Sequence, residues 1–136
     1  MQNDTASDAQ SDGLTHSSIW CIVKDNQGTL WLGTYFGGVN YFNPEYEIYS
    51  RYMYSPIEKK GLSNPVVGRT IEDKDGNLWI GTEGGGLNYY NRRTREFKWF
   101  RPEIGPNSIS HNNIKALYYD ASKDIIWIGT HLGGLN

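Results

Sequence analysis

Short segments that alternate between aliphatic residues and polar or aromatic residues run along most of the chain. In one stretch they read VVGRTIED, NLWIGT, GLNYYN and EFKWFRP, and turn-forming residues separate them. No segment keeps a helical period over three turns. The DKDGN turn supplies the aspartate and glycine that a tight hairpin requires. Because the connections are only a few residues long, the pattern predicts four neighbouring antiparallel strands.

The same pattern occurs three times, with a step of 48 residues. The copies contain GTLWLGTYFGGVNYF from Gly28, GNLWIGTEGGGLNYY from Gly76 and DIIWIGTHLGGLN from Asp124. So many residues in register indicate a structural repeat. The recurring residues, which we interpret as structural, are Trp31, Trp79 and Trp127; Gly33, Gly81 and Gly129; Gly38, Gly86 and Gly134; and Asn40, Asn88 and Asn136.

Each predicted sheet has two apolar faces. In TLWLGT, Leu30 and Leu32 point to one face and Trp31 to the other. Both faces need a neighbouring sheet, and each buried aliphatic side chain contributes roughly 1.5–3 kcal/mol. Four strands in a period of about 40–50 residues are typical of a β-propeller blade. We therefore predict an all-β propeller fragment of about two and a half four-stranded antiparallel blades.

The predicted boundaries follow the repeat. Residues 1–12 are interpreted as a polar linker or an arbitrary start, 13–60 and 61–108 as blades, and 109–136 as the first half of a truncated third blade. The glycines after each tryptophan strand are expected to form the hairpin to the third strand, where glycine permits positive φ and close backbone approach. A phosphate-binding role is disfavoured, because no Lys-Ser/Thr pair and no helix follow them.

Composition narrows the possible functions. The chain has 136 residues, of which 38% are hydrophobic and 21% charged, so it resembles neither a membrane span nor a disordered tail. Its net charge of −2 gives no indication of a nucleic-acid partner. Aromatic residues reach 14%, which favours strands and carbohydrate or protein contact surfaces. The single cysteine, Cys21, excludes an internal disulfide and is interpreted as a packed, inert thiol.

The repeated pattern DxxGxLWxGTxxGGLNxxN resembles the repeat of the two-component regulator propeller family. It is matched by DNQGTLWLGTYFGGVNYFN, DKDGNLWIGTEGGGLNYYN and IIWIGTHLGGLN. The resemblance implies a periplasmic propeller in the sensor part of an inner-membrane histidine kinase, often a hybrid two-component system. It also implies oligosaccharide sensing and signalling by phosphorelay to a kinase that this chain does not contain.

Two sets of loops are candidate binding positions. The loops between second and third strands differ between the copies, and they place Tyr35, Phe36, Glu83 and His131 at candidate ligand-binding positions. Aromatic rings can stack on a sugar, and Glu and His can bond hydroxyl groups. The alternative is that they are ordinary exposed loop residues. In the loops between blades, Asn64 and its equivalents His16 and His111 are interpreted as local backbone hydrogen-bonders.

No catalytic group, metal site or cofactor is predicted. The three histidines lack metal-binding spacing, and DKDGN lacks the closing glutamate of a calcium loop. The recurring Asp25, Asp73 and Asp120 are interpreted as Asx-turn residues.

The leading hypothesis is thus a non-catalytic extracytoplasmic sensor that recognises an oligosaccharide. The alternatives are a protein-interaction propeller that docks a partner or dimerises a receptor and, less favoured, a propeller lyase or hydrolase. Sheet faces left without neighbours also predict self-association.

Overall fold

The computed structural model describes residues 18–43, 45 and 48–136. The predicted linker at 1–12 and His16 lie outside these residues. The described residues form one short 3-10 helix, Glu58–Lys60, and eleven strands. The strands are β1 Ile19–Lys24, β2 Leu30–Thr34, β3 Val39–Asn43, β4 Ile48–Tyr52, β5 Val67–Glu72, β6 Leu78–Thr82, β7 Leu87–Asn91, β8 Glu96–Phe100, β9 Ile114–Asp120, β10 Ile125–Thr130 and β11 Gly134–Leu135.

The strands form three antiparallel sheets, and each strand pairs with its neighbours along the chain. Blade 1 has the order β1-β2-β3-β4, blade 2 has β5-β6-β7-β8, and blade 3 contains β9, β10 and β11. The predicted all-β meander is therefore confirmed. In the part of the chain that the structure describes, no helix is long and apolar enough to cross a membrane.

The sheets stack through a glycine on the second strand of each blade. A Cβ atom added to Gly33 would lie 2.5 Å from Cys21 Sγ on its own sheet and 2.8 Å from Val67 Cγ1 in β5 of blade 2. A Cβ atom added to Gly81 would lie 2.7 Å from Ile114 Cγ2 in β9 of blade 3. The distances to Val67 and Ile114 are too short for a real Cβ contact, so the glycine of the Trp-x-Gly motif leaves room for the β-branched residue of the next blade.

The main core lies between blades 1 and 2. It consists of buried side chains from both sheets together with Leu62, which precedes β5: Trp31, Val39, Leu62, Val67, Leu78, Ile80, Tyr90 and Phe97. Leu78 and Ile80 alternate with the half-buried Trp79 along β6, as the two-sided pattern predicted. Burial of both sheet faces is therefore what holds neighbouring blades together.

The hairpin glycines Gly38 and Gly86 adopt positive φ values of 70° and 78°. A Cβ atom on Gly38 would lie 2.3 Å from the carbonyl oxygen of Tyr52. A Cβ atom on Gly86 would lie 2.2 Å from the carbonyl oxygen of Phe100. The predicted conformational freedom and close backbone approach are both found here. The backbone that each glycine approaches belongs to the fourth strand of its own blade.

In blades 1 and 2 the recurring aspartate closes the first hairpin and also binds the recurring tryptophan. In blade 2, Asp73 Oδ1 accepts hydrogen bonds from the backbone N–H groups of Asp75 and Asn77, at 2.9 and 3.0 Å. Its Oδ2 accepts one from Trp79 Nε1 at 2.9 Å. Asp25 makes the same set, including a 2.8 Å bond from Trp31 Nε1. The Asx turn is as predicted, and the indole bond is a second role of this aspartate in blades 1 and 2; in blade 3, Asp120 accepts bonds from Ser122 instead.

The recurring asparagine ties the third strand to the segment before the first strand. Asn88 Oδ1 accepts from Ser63 N at 2.9 Å, and its Nδ2 donates to Ser63 Oγ at 2.6 Å. Asn136 makes the equivalent pair of bonds with Ser110, at 3.1 and 2.8 Å. These bonds fix the entry of the chain into blades 2 and 3.

Candidate functional site

The predicted ligand-binding loops occupy equivalent places in the three blades. The backbone N–H of Tyr35 donates to Ser18 O at 3.1 Å, that of Glu83 to Val66 O at 3.0 Å, and that of His131 to Asn113 O at 3.0 Å. Each bond joins the loop after the second strand to the residue at or near the start of the first strand. The loops therefore lie at the same end of the sheets, which we call the loop face.

An aromatic group stands on the loop face of blade 1. The Tyr35 ring stacks on Trp20, with centroids 5.0 Å apart and planes 26° apart. Phe36 meets Tyr35 edge-on at 4.6 Å. All three are exposed, at 46% for Trp20, 38% for Tyr35 and 56% for Phe36. The stacked rings of Trp20 and Tyr35 offer exposed apolar surface that suits the face of a sugar ring.

Charged groups adjoin this aromatic surface. Trp20 lines a pocket of about 400 Å³ that also contains Arg69, Glu83 and Lys115. The Lys115 ammonium pairs with the Glu83 carboxylate, which is the more buried partner of the two. The pocket thus offers an aromatic wall, one carboxylate and two cations, a set that can bond several hydroxyl groups at once. We call it the loop-face pocket.

The structure brings only some of the predicted residues together. Glu83 lines the loop-face pocket, and Tyr35 borders it through its stack with Trp20. Phe36 contacts the ring of Tyr35. His131 does not line the pocket, and its ring faces that of His111 at 5.9 Å.

Sequence reasoning missed Trp20, Arg69 and Lys115, which come from the first strands of three different blades. The available signal was in IWCIVK, where the large Trp20 alternates with half-buried residues and so points away from the core. Arg69 and Lys115 are likewise the exposed charged residues of β5 and β9 near their starts. First-strand positions are therefore where binding residues should also be sought in this repeat.

The remaining candidate polar residues act on the backbone. Asn64 Oδ1 accepts from Val66 N at 2.9 Å, and His111 Nδ1 accepts from Asn113 N at 3.0 Å, as predicted for the loops between blades.

Cys21 is half-buried, with Sγ 3.5 Å from Thr70 Oγ1, and burial raises the pKa of its thiol. A raised pKa keeps this thiol protonated and poorly nucleophilic.

Comparison with known proteins shows which family model the chain matches. The family model "Two component regulator propeller" matches residues 13–36 and 61–84, which are equivalent segments of the first two copies. No curated protein sequence matches the chain.

Solved structures share the fold. The extracellular domain of the hybrid two component system BT3049 from B. thetaiotaomicron has a TM-score of 0.69 and 28% identity, over 86% of this chain and 14% of that chain. The extracellular domain of BT4673 from the same bacterium has a TM-score of 0.65 and 25% identity, over 85% of this chain and 16% of that one. A third structure is that of PorZ, a surface component of the type-IX secretion system of Porphyromonas gingivalis. It has a TM-score of 0.71, over 88% of this chain and 17% of that one. Its sequence identity is 21%, so this match supports the fold alone.

This chain thus spans about a sixth of the length of the structures it matches. The predicted fold class, a fragment of a β-propeller, is confirmed by these neighbours and by the three stacked sheets. Two segments of the chain match the model of the two-component regulator propeller family, and the resemblance seen in its motif is confirmed.

Proposed function

We propose that this chain is part of a non-catalytic, extracytoplasmic sensor propeller of a two-component regulator, and that its loop face recognises an oligosaccharide. The observation that carries the proposal is the exposed stack of Trp20 on Tyr35 beside the charged pair Glu83–Lys115. An aromatic platform next to hydrogen-bonding charges is the arrangement that recognises a sugar ring and its hydroxyls.

The cellular location is part of the proposal. Two of the matched structures are extracellular domains of signalling systems, which supports a periplasmic position in a membrane-anchored parent. A ligand on the loop face would act by binding one signalling state more tightly than the other, since only differential affinity shifts such an equilibrium. Phosphorelay through a kinase would then be the output of the parent protein.

Isothermal titration of the chain against a panel of neutral oligosaccharides tests the proposal. We expect one glycan class to bind, and Tyr35→Ala to weaken that binding about fivefold to tenfold through loss of the stacking surface. Tyr54→Ala is the matched control, because Tyr54 is an exposed tyrosine outside the loop-face pocket.

Three results would count against the proposal. Binding that Tyr54→Ala reduces as much as Tyr35→Ala would remove the loop face as the site. Absence of binding across the whole panel would favour the interaction-propeller alternative. Conversion of a bound glycan to shorter products would favour a propeller lyase or hydrolase.

A further inference from the structure

A second cavity lies at the end of the sheets opposite the loop face, between blades 1 and 2. Its volume is about 360 Å³, within the range of small-molecule sites. Its floor is aromatic and consists of Trp31, Tyr41, Tyr52 and Tyr90. Both blades that enclose it have all four strands. We call it the inter-blade cavity.

The aromatic floor is continuous and uncharged. Trp31 stacks on Tyr41 with centroids 4.8 Å apart, and Tyr41 stacks on Tyr52 at 5.5 Å. The Tyr52 and Tyr90 hydroxyls, from different blades, are hydrogen-bonded at 2.5 Å. Burial raises the pKa of both hydroxyls, so both stay neutral near neutral pH. The floor therefore offers flat ring surface without repelling an anion.

One arginine at the rim of the cavity is fixed by carboxylates. Arg92 Nη1 lies 3.1 Å from Asp25 Oδ2 and 3.6 Å from Glu72 Oε2, and its Nη2 donates to Gln27 Oε1 at 2.5 Å. The Asp25 side chain is fully buried. Arg92 thus has its charge compensated inside the protein, and it holds the β7–β8 turn of blade 2 against blade 1.

Two further arginines on the same turn have no such compensation. Arg93 and Arg95 line the cavity with exposed side chains, and neither makes an ion pair within the residues that the structure describes. Among the residues that the structure describes, Asp75 is the only carboxylate that lines the cavity. The turn is well held, because Asn91 accepts bonds from Arg93 N at 3.0 Å and from Arg95 N at 2.7 Å.

The equivalent cavity between blades 2 and 3 has the opposite character. It is lined by Asp73, Asp75 and Asp124, with Lys98 as its one cationic residue. In the first copy the positions equivalent to Arg93 and Arg95 are Glu45 and Glu47, so the repeat does not impose arginines at this turn.

We propose that the inter-blade cavity is a second ligand site, one that takes a saccharide bearing a carboxylate. The sugar ring lies against Tyr41 and Tyr52, and the carboxylate bonds the guanidinium groups of Arg93 and Arg95. A planar guanidinium matches a carboxylate geometrically, and such charge-assisted bonds are stronger than neutral ones. The site is separate from the loop face and stands whether or not a neutral glycan binds there.

Isothermal titration with digalacturonic acid tests the site. We expect the unmodified chain to bind it, and the double variant Arg93→Gln/Arg95→Asn to bind about tenfold more weakly through loss of two charged donors. Asparagine is chosen at position 95 because Arg95 has a φ of 59°, which asparagine adopts readily. The matched control is Lys59→Gln/Lys60→Gln, which removes two exposed charges from the remote 3-10 helix.

The second measurement needs no variant. In NMR titrations of the unmodified chain, the ring protons of Tyr41 and Tyr52 should shift on addition of digalacturonic acid. Unmoved ring signals, or equal affinity in the arginine variant, would overturn the proposal.

Two competing ligands and one variant sharpen the test. The neutral digalactoside of the same linkage should bind at least about tenfold more weakly, and equal binding would remove the role of the carboxylate. A triglutamate peptide that binds as tightly as the sugar acid would identify an acidic peptide as the ligand class. Trp20→Ala should leave the affinity for digalacturonic acid unchanged; a loss would move the ligand to the loop-face pocket and overturn the second site.

Discussion

The stacking glycine allows a direct test of how the blades are held together. In Gly81→Ala the added Cβ would lie 2.7 Å from Ile114 Cγ2, 2.9 Å from Ile114 Cβ and 3.3 Å from Arg69 O. Relief of such contacts requires blade 3 to move away or β6 to shift. Overpacking of this kind costs typically about 1–3 kcal/mol in the free energy of unfolding.

The third copy of the repeat supplies the control. In Gly129→Ala the nearest atom to the added Cβ is Ala116 Cβ at 3.2 Å, on the same sheet. We expect this variant to lose less than about 1 kcal/mol, because the contact is milder and alanine suits a strand slightly better than glycine.

Urea denaturation followed by tryptophan fluorescence measures both variants. With a urea m-value of about 2 kcal/mol per molar, a loss of about 2 kcal/mol lowers the unfolding midpoint by about 1 M. Gly81→Ala should show this shift and Gly129→Ala should not. Equal midpoints for the two variants would refute the conclusion that close contact between blades, rather than strand geometry, requires the glycine.

Three further predictions follow from the described contacts. Asp73→Ala should destabilise the chain by about 2 kcal/mol in the same urea assay, because a carboxylate that accepts three hydrogen bonds is lost. Asp120→Ala, which removes bonds to Ser122 alone, should destabilise it less. The reverse order of the two losses would contradict the role given to the aspartate in the turn. Because the pKa values of Tyr52 and Tyr90 are raised above 10.0, stability should be full below that pH and fall as the pH rises above it. Tyr52→Phe should make this decline shallower in alkaline urea titrations, and an unchanged slope would argue against coupled hydroxyls. Self-association stays a prediction. Trp127 is 41% exposed on blade 3, so Trp127→Lys should reduce the amount of oligomer measured by light scattering. An unmodified chain that is monomeric at high concentration would contradict the prediction.

The scaffold was open to prediction because its causes are local and repeated. Leu30, Trp31 and Gly33 show a two-faced strand that ends in a hairpin, and the repetition of that pattern in three copies predicts stacked sheets.

The role of the recurring aspartate was only half predictable. Its spacing to the turn indicated an Asx turn, but the tryptophan six residues later gave no sign that its indole takes the second carboxylate oxygen.

The loop-face pocket was harder to predict because its residues do not repeat. Pairing between the first and second strands is interrupted by register shifts, between Ile19 and Cys21 in blade 1 and between Val67 and Thr70 in blade 2. Such a bulge changes which side chains point outward, so simple alternation does not assign Arg69 to the pocket. The Tyr52–Tyr90 bond was hidden as well, since the two tyrosines occupy different positions within their copies.

The contact of Gly33 with Val67, and of Gly81 with Ile114, has a consequence for how such proteins evolve. Each contact joins the end of one copy's second strand to the start of the next copy's first strand, and both partners keep the same shape from copy to copy. Recombination that adds or deletes one whole 48-residue unit recreates the contact at the new junction. Gain or loss of a complete unit therefore lets the gene change length while every junction between blades keeps its contact.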